Sequence, residues 1–229
     1  MYDAHFDRLT AWATAAERST EIAEAKAEHF RAIGDVFEED PLYDVWMARF
    51  LEYYMFDRAM KPGGMTPAEA FVQTQSAGMD PADRGAFLSL CRTRRSLFEI
   101  RKVREAELEL LDLVADAKLK VCVKHTVGLD KGGILEARLI PFADKTWFGR
   151  ALLQHPSEAR KFILGKIKAA RAAGTPSAAE LLQLLAGMRL RLDRYRRLPV
   201  EKVYSDELRL PGEVPEVSLV NRGSKELRR

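Results

Sequence analysis

The stretch Lys118-Leu119-Lys120-Val121-Cys122-Val123-Lys124 alternates apolar and polar residues, and Ile134-Leu135-Glu136-Ala137-Arg138-Leu139-Ile140 does the same a short way downstream. A period of two marks a strand with one face on a core and the other in water. Leu119, Val121 and Val123 then point inward and Lys118, Lys120 and Lys124 outward. In the second stretch Leu135, Ala137 and Leu139 point inward, with Glu136 and Arg138 outward.

Three further apolar runs of strand length flank these two, at residues 97–103, 108–114 and 147–152. Turn chemistry separates the runs at Ala115-Asp116-Ala117, at Gly128-Leu129-Asp130-Lys131-Gly132-Gly133 and at Ala143-Asp144-Lys145. Five short antiparallel strands of this kind suggest a small curled sheet or barrel, SH3-like or OB-like, because closure removes exposed edges.

The flanks read as helices. Residues 3–33 predict one long helix, rich in Ala and Glu, with a thin apolar stripe at Phe6, Leu9, Trp12, Ile22 and Phe30 and a stop at Gly34. So thin a stripe points to packing on a partner or another chain. Asp40-Pro41 predicts the cap and first residue of a second helix reaching about Met60, which carries Trp46, Phe50, Tyr53, Tyr54 and Phe56 as core. Thr66-Pro67-Ala68-Glu69 is a capping box for a third helix. Asp80-Pro81-Ala82-Asp83 starts a fourth, ending in Arg92-Thr93-Arg94-Arg95, where the cations complement the helix dipole or grip a phosphate.

Beyond the strands, Pro156-Ser157-Glu158 starts a helix that Gly174 stops, and Thr175-Pro176 caps another reaching Leu198-Pro199. Leu181, Leu185, Met188, Leu192 and Tyr195 on that last helix form a short heptad seam, expected to pack on the protein's own body. From residue 201 onward the chain reads as extended or mobile, with 214–220 as a possible edge strand or docking segment. The expected class is α+β: an acidic helical region (1–95), a small β-module (96–152), a basic helical region (153–199) and a tail (200–229).

The net charge of +3 on 229 residues is unevenly spread. Residues 1–80 hold 7 Lys/Arg against 15 Asp/Glu, or −8, and the remainder holds 30 against 19, or +11. Such asymmetry marks either a surface for nucleic acid or an acidic partner, or two halves packed on each other. Cations available for nucleic acid or another anion are Arg92, Arg94, Arg95, Lys118, Lys120, Lys124, Arg138, Arg189, Arg191 and Arg194.

Chemistry-bearing motifs are sparse. His5, His29, His125 and His155 stand at no metal-ligand spacing, and Lys131-Gly132-Gly133 lacks the Walker pattern. Cys91 lies near Arg92, Arg94 and Arg95, which would lower a thiol's pKa, yet no base is evident beside it. Glu105, Glu107, Glu109 and Asp112 form a local carboxylate group, read as a solvated outer face. No catalytic, cofactor-binding or metal residue is assigned, and no cofactor is expected. Two cysteines and the absence of a long apolar run or leader pattern suggest a reducing cytoplasm and no membrane.

The segments Phe50…Tyr54-Met55-Phe56-Asp57-Arg58, Met65-Thr66-Pro67-Ala68-Glu69-Ala70-Phe71, Arg94-Arg95-Ser96-Leu97-Phe98-Glu99-Ile100 and Leu111-Asp112-Leu113 resemble a group of uncharacterised bacterial proteins. In that group a helical segment precedes a small β-module, whose later strands resemble Lys131-Gly132-Gly133-Ile134-Leu135-Glu136-Ala137-Arg138-Leu139. The resemblance spans residues 39–150 and implies an architecture without an activity. Some members carry a cysteine-rich metal-binding module of the SEC-C type, for which this sequence has no matching cysteines. The functions expected are a non-enzymatic protein-interaction or scaffold protein, with a protein partner or a second copy, or a nucleic-acid-binding protein using the basic half.

Overall fold

The computed structural model describes residues 2–61, 64–172 and 178–206. Five strands, β1 (Arg94–Val103), β2 (Glu107–Asp112), β3 (Ala117–Cys122), β4 (Ile134–Phe142) and β5 (Lys145–His155), close into a barrel in the order β1-β2-β3-β5-β4. The order β4-β1-β2-β3 is a Greek key, and β5 shuts the ring between β3 and β4, as in an OB-like barrel. The sheet is mixed where an all-antiparallel one was expected. Five strands of alternating direction cannot close a ring, so one neighbouring pair must run parallel, and here that pair is β3 with β5 at Cys122 and Trp147.

The barrel interior is filled from the period-two residues. Phe98, Ile100, Leu108, Leu110, Val121, Leu135, Ala137 and Leu139 form one buried cluster, with Leu119, Val123, Phe148 and Leu152 against it. Lys118, Lys120 and Lys124 face solvent as the pattern predicts. The β4–β5 hairpin turns at Ala143 and Asp144, both at positive φ, which is the two-residue geometry matched to strand twist.

Eight helices frame the barrel among the described residues. The expected single helix over 3–33 is two, α1 (Asp3–Ala13) and α2 (Ser19–Ile33), joined by a 3₁₀ turn at Ala16–Arg18. A straight helix of that length would run roughly 46 Å at about 1.5 Å per residue, past anything it could cover. The break lets Phe6, Leu9 and Ala13 of α1 and Ala25, His29, Phe30 and Ile33 of α2 converge on the aromatic helix α3 (Tyr43–Phe56). Arg18 secures it, stacking 3.6 Å from the Trp12 ring centroid and donating to the Trp12 carbonyl at 3.0 Å. The thin stripe therefore packs on this chain's own α3 rather than on a partner.

Helix α3 begins at Tyr43, because Asp40 is used differently: its Oδ2 accepts from the Phe37 amide at 2.8 Å and closes the α2–α3 loop. Thr66 and Glu69 make the expected capping box on α4 (Pro67–Gln75). Asp80 caps α5 (Pro81–Leu90), accepting from the amides of Ala82 and Asp83. That helix stops at Leu90, so Arg94 and Arg95 open β1 instead of closing a helical turn.

On the C-terminal side a 3₁₀ turn at Ser157–Ala159 leads into α6 (Arg160–Ala172), followed by α7 (Ala178–Arg194). Gly174, Thr175 and Pro176 lie outside the described residues. Helix α7 is buried on two sides: Ala186 and Leu190 join the core of α1–α5, while Leu181, Leu182, Leu185 and Met188 join Leu97, Ile134 and α6. The heptad seam packs internally as expected, except that Tyr195, past the helix end, is 44 % exposed. Residues 200–206 are not extended. They form α8 (Val200–Val203) and bury Val203 and Tyr204. The segment 214–220 lies outside the described residues. No helix among the described residues is long and apolar enough to cross a membrane.

Candidate functional site

Two polar sites stand out, one sealed and one open. The sealed one lies where α3 crosses the outer face of β1, β4 and β5. Glu136 and Arg138 do point away from the barrel interior, but not into water: both are fully buried under the helices. Arg95 and Glu52 are buried with them. Glu136 Oε1 accepts from Arg49 Nε at 2.8 Å and from Arg95 Nη1 at 2.9 Å. Arg95 Nη2 donates to Glu52 Oε2 at 2.6 Å. Arg138 pairs with Asp57, donates to Thr93 Oγ1 at 3.1 Å, and lies over the Phe56 ring.

A bulge in β5 explains why Glu52 fits. Ala137 pairs with Leu152 and Leu139 with Phe148, so Arg138 alone stands opposite Gly149, Arg150 and Ala151. The amides of Arg150 and Ala151 leave the ladder and donate to Glu52 Oε1 at 2.6 and 3.0 Å. A Cβ on residue 149 would lie 2.4 Å from that oxygen, so the approach requires glycine there.

The electrostatics agree. Burial alone would raise the Glu136 carboxyl, but Arg49 and Arg95 outweigh it and hold the pKa below the ordinary carboxylate value. His29 accepts at Nε2 from Arg49 at 3.2 Å, and burial beside Arg49 and Arg95 pushes its pKa down to about 2, so it is neutral.

Much of the charge asymmetry is spent internally. Acids of the first eighty residues pair with cations of the rest: Asp3 with Lys124, Asp7 with Arg150, Asp40 with Arg194, Glu52 with Arg95 and Arg138, and Asp57 with Arg138. The candidate anion contacts are accordingly dispersed. Arg95 and Arg138 are buried in the seam, Arg94 pairs with Asp112, Lys120 with Glu107, and Arg189 with Asp193. Arg191 is half-buried and engaged. Arg92 and Lys118 are exposed without a partner among the described residues. Of the carboxylate group, Glu105, Glu107 and Glu109 do lie at or near the surface, but Asp112 is fully buried. It accepts from Ser96 and from the amides of Val114 and Ala115, so it builds the β2–β3 turn. Cys91 is no activated thiol: burial, then Glu69, push its pKa up to about 11.

The open site is a cleft of about 780 Å³ between the β3–β4 loop, the end of β5 and α7, walled by Asp130–Gly133, His155, Ser157, Arg160, Arg189 and Asp193. His155, the last residue of β5, is 3 % exposed. Its Nδ1 meets the Tyr204 hydroxyl at 2.9 Å, and its Nε2 is buried without a hydrogen-bond partner, as is Asp193 Oδ2. Burial pushes the His155 pKa down to about 4 and raises that of Tyr204, so both are neutral near pH 7. Arg160 spans the mouth, donating to the Gly132 carbonyl at 2.9 Å and to Glu99 at 3.0 Å. Lys131 is exposed and without a partner among the described residues. No local motif announces this site, since its residues come from four segments at no diagnostic spacing.

No group of three or more His, Cys, Asp or Glu among the described residues is placed to hold a metal ion. No family model matches the chain, and neither does any curated protein or solved structure.

Proposed function

We propose that the chain is a non-enzymatic interaction scaffold of the cytoplasm, bacterial as the resemblance implies, whose barrel and helices form a rigid base for a protein partner. The observation that carries this is a surface patch where the α2–α3 loop meets the end of α7. Phe37 is 56 % exposed with Arg194 5.0 Å from its ring centroid, and Tyr195, the next residue after Arg194, is 44 % exposed. Arg194 is held there by Asp40 Oδ1 at 2.9 Å. Exposed aromatics around a positioned arginine are the composition of interface hot spots, and their fixed geometry lowers the entropy lost on docking. The unpaired thiols Cys91 and Cys122 fit a reducing compartment. The nucleic-acid reading has weaker support, because most of the cations it would use already hold acids of this chain.

A photo-crosslinking residue placed at position 37 in the producing cell tests the proposal, with one at position 88 on α5 as control. A discrete adduct with a protein, or with a second copy, at position 37 only is the expected result. No adduct at 37, or the same adducts at both positions, would overturn it. A nucleic-acid adduct would shift the reading to the alternative.

A further inference from the structure

From the cleft beside α7 we infer a binding site for a small hydroxyl-bearing phosphate ester, seated with its hydroxyl against His155 and Asp193 and its phosphate toward Lys131 and Arg160. It rests on different residues from the Phe37–Tyr195 patch and stands or falls separately.

The hydroxyl end follows from two of the six buried side-chain atoms that lack a hydrogen-bond partner among the described residues, the two whose residues wall this cleft. The Tyr204 hydroxyl lies 2.9 Å from His155 Nδ1, and with the phenol as the donor of that bond the ring hydrogen is on Nε2. That N–H is a buried donor with no acceptor, and Asp193 Oδ2 is a buried acceptor with no donor. Leaving such groups unmatched is costly, and both residues belong to the wall of the same cleft. A hydroxyl satisfies the pair, accepting from the imidazole and donating to the carboxylate. An anion alone does not, because Asp193 would repel it. Asp193 itself is fixed, since its other oxygen is gripped by Arg189, whose Nε is anchored on the Gln154 carbonyl at 2.9 Å.

The phosphate end follows from the rim. Lys131 stands exposed and unpaired beside Gly132 and Gly133, where the backbone of the β3–β4 loop is pinned to Ile100 through bonds of 2.7 and 2.9 Å. The Arg160 guanidinium is fixed against the same loop by the Gly132 carbonyl and by Glu99. Arg160 is already paired with Glu99, so Lys131 supplies the uncompensated charge and the held guanidinium adds its remaining N–H groups, which together favour a phosphate. The cleft volume is within the range of small-molecule sites, roughly 300–1,000 Å³.

Calorimetric titration of the full chain with ribose 5-phosphate, ribose and inorganic phosphate, in a buffer free of other polyanions, tests this. Ribose 5-phosphate should bind saturably at one site, at least about tenfold more tightly than either fragment. Lys131→Ala, a surface change that leaves the fold alone, should weaken ribose 5-phosphate about tenfold and leave ribose unaffected. Asp193→Asn should weaken ribose 5-phosphate and leave inorganic phosphate unaffected. Failure of all three probes to saturate by about 10 mM would overturn the inference. So would equal affinities for ribose and its phosphate, or parental affinity in both variants.

Discussion

Strands β3 and β4 carry the same written pattern, apolar residues at every second position and charges between them. Their inner faces do the same thing, filling one barrel. Their outer faces do opposite things: Lys118 and Lys120 stand in water, whereas Glu136 and Arg138 are fully buried beneath α3. Alternation reports which side of a strand is apolar. What covers the other side is decided elsewhere in the chain, here by α3 bringing Arg49, Glu52 and Asp57 to meet β4's charges. A charged face left wet contributes little, and the same face roofed over becomes a seam in which every partner is needed.

Removing the acid at the centre of the seam should do most damage. Glu52→Gln leaves Arg95 buried with one fewer anion and weakens the hold on the β5 bulge. It should cost about 3–5 kcal/mol in urea unfolding. Gly149→Ala comes next, because its methyl collides with the Glu52 carboxylate, and a loss of about 2–3 kcal/mol is expected. In a Glu52→Ala background, where the carboxylate is gone, the same Gly149→Ala change should cost under about 1 kcal/mol, and additive losses would sink the bulge account.

Acid should destabilise the fold through its buried histidines. His29 and His155 have folded pKa values of about 2 and about 4, below the unfolded value of about 6.5. Below that unfolded value the unfolded chain takes up protons that the native state refuses. Stability is therefore full above pH 6.5 and falls as pH drops, by up to about 1.4 kcal/mol per unit per histidine. The loss continues until pH passes about 4 for His155 and about 2 for His29. The depressed Glu136 adds in the same direction as the unfolded carboxylate starts to protonate, near pH 4–5. Urea midpoints at pH 7, 6 and 5 should decline steadily, and His29→Gln should flatten the decline. A midpoint unchanged from pH 7 to pH 5 would contradict a buried neutral His29.

The smallest effect belongs to the open face. Lys118→Gln should leave stability within about 0.5 kcal/mol of the parent.

Local patterns carried much of this fold. The five strands, their turns, the caps at Thr66 and Asp80 and the inward residues of β3 and β4 are all short-range signals, and they stand in the structure within a few residues. Long-range competition decided the rest. Asp40 is a good N-cap by type, yet it is taken by the Phe37 amide and Arg194. The first helix breaks because two segments must reach one aromatic cluster. The parallel β3–β5 contact follows from closing an odd number of strands. The cleft was least legible, because the pairing of His155 with Tyr204 joins residues 49 positions apart, and nothing near either one signals the other.

The central claim is that identical alternation hides a roofed, charged seam on β4 and a solvated face on β3. Unfolding Glu136→Gln and Lys120→Gln in the same buffer at pH 7 tests it most directly. The structure predicts a loss of at least about 3 kcal/mol for Glu136→Gln, against no more than about 0.5 kcal/mol for Lys120→Gln. Equal losses from the two substitutions would contradict it.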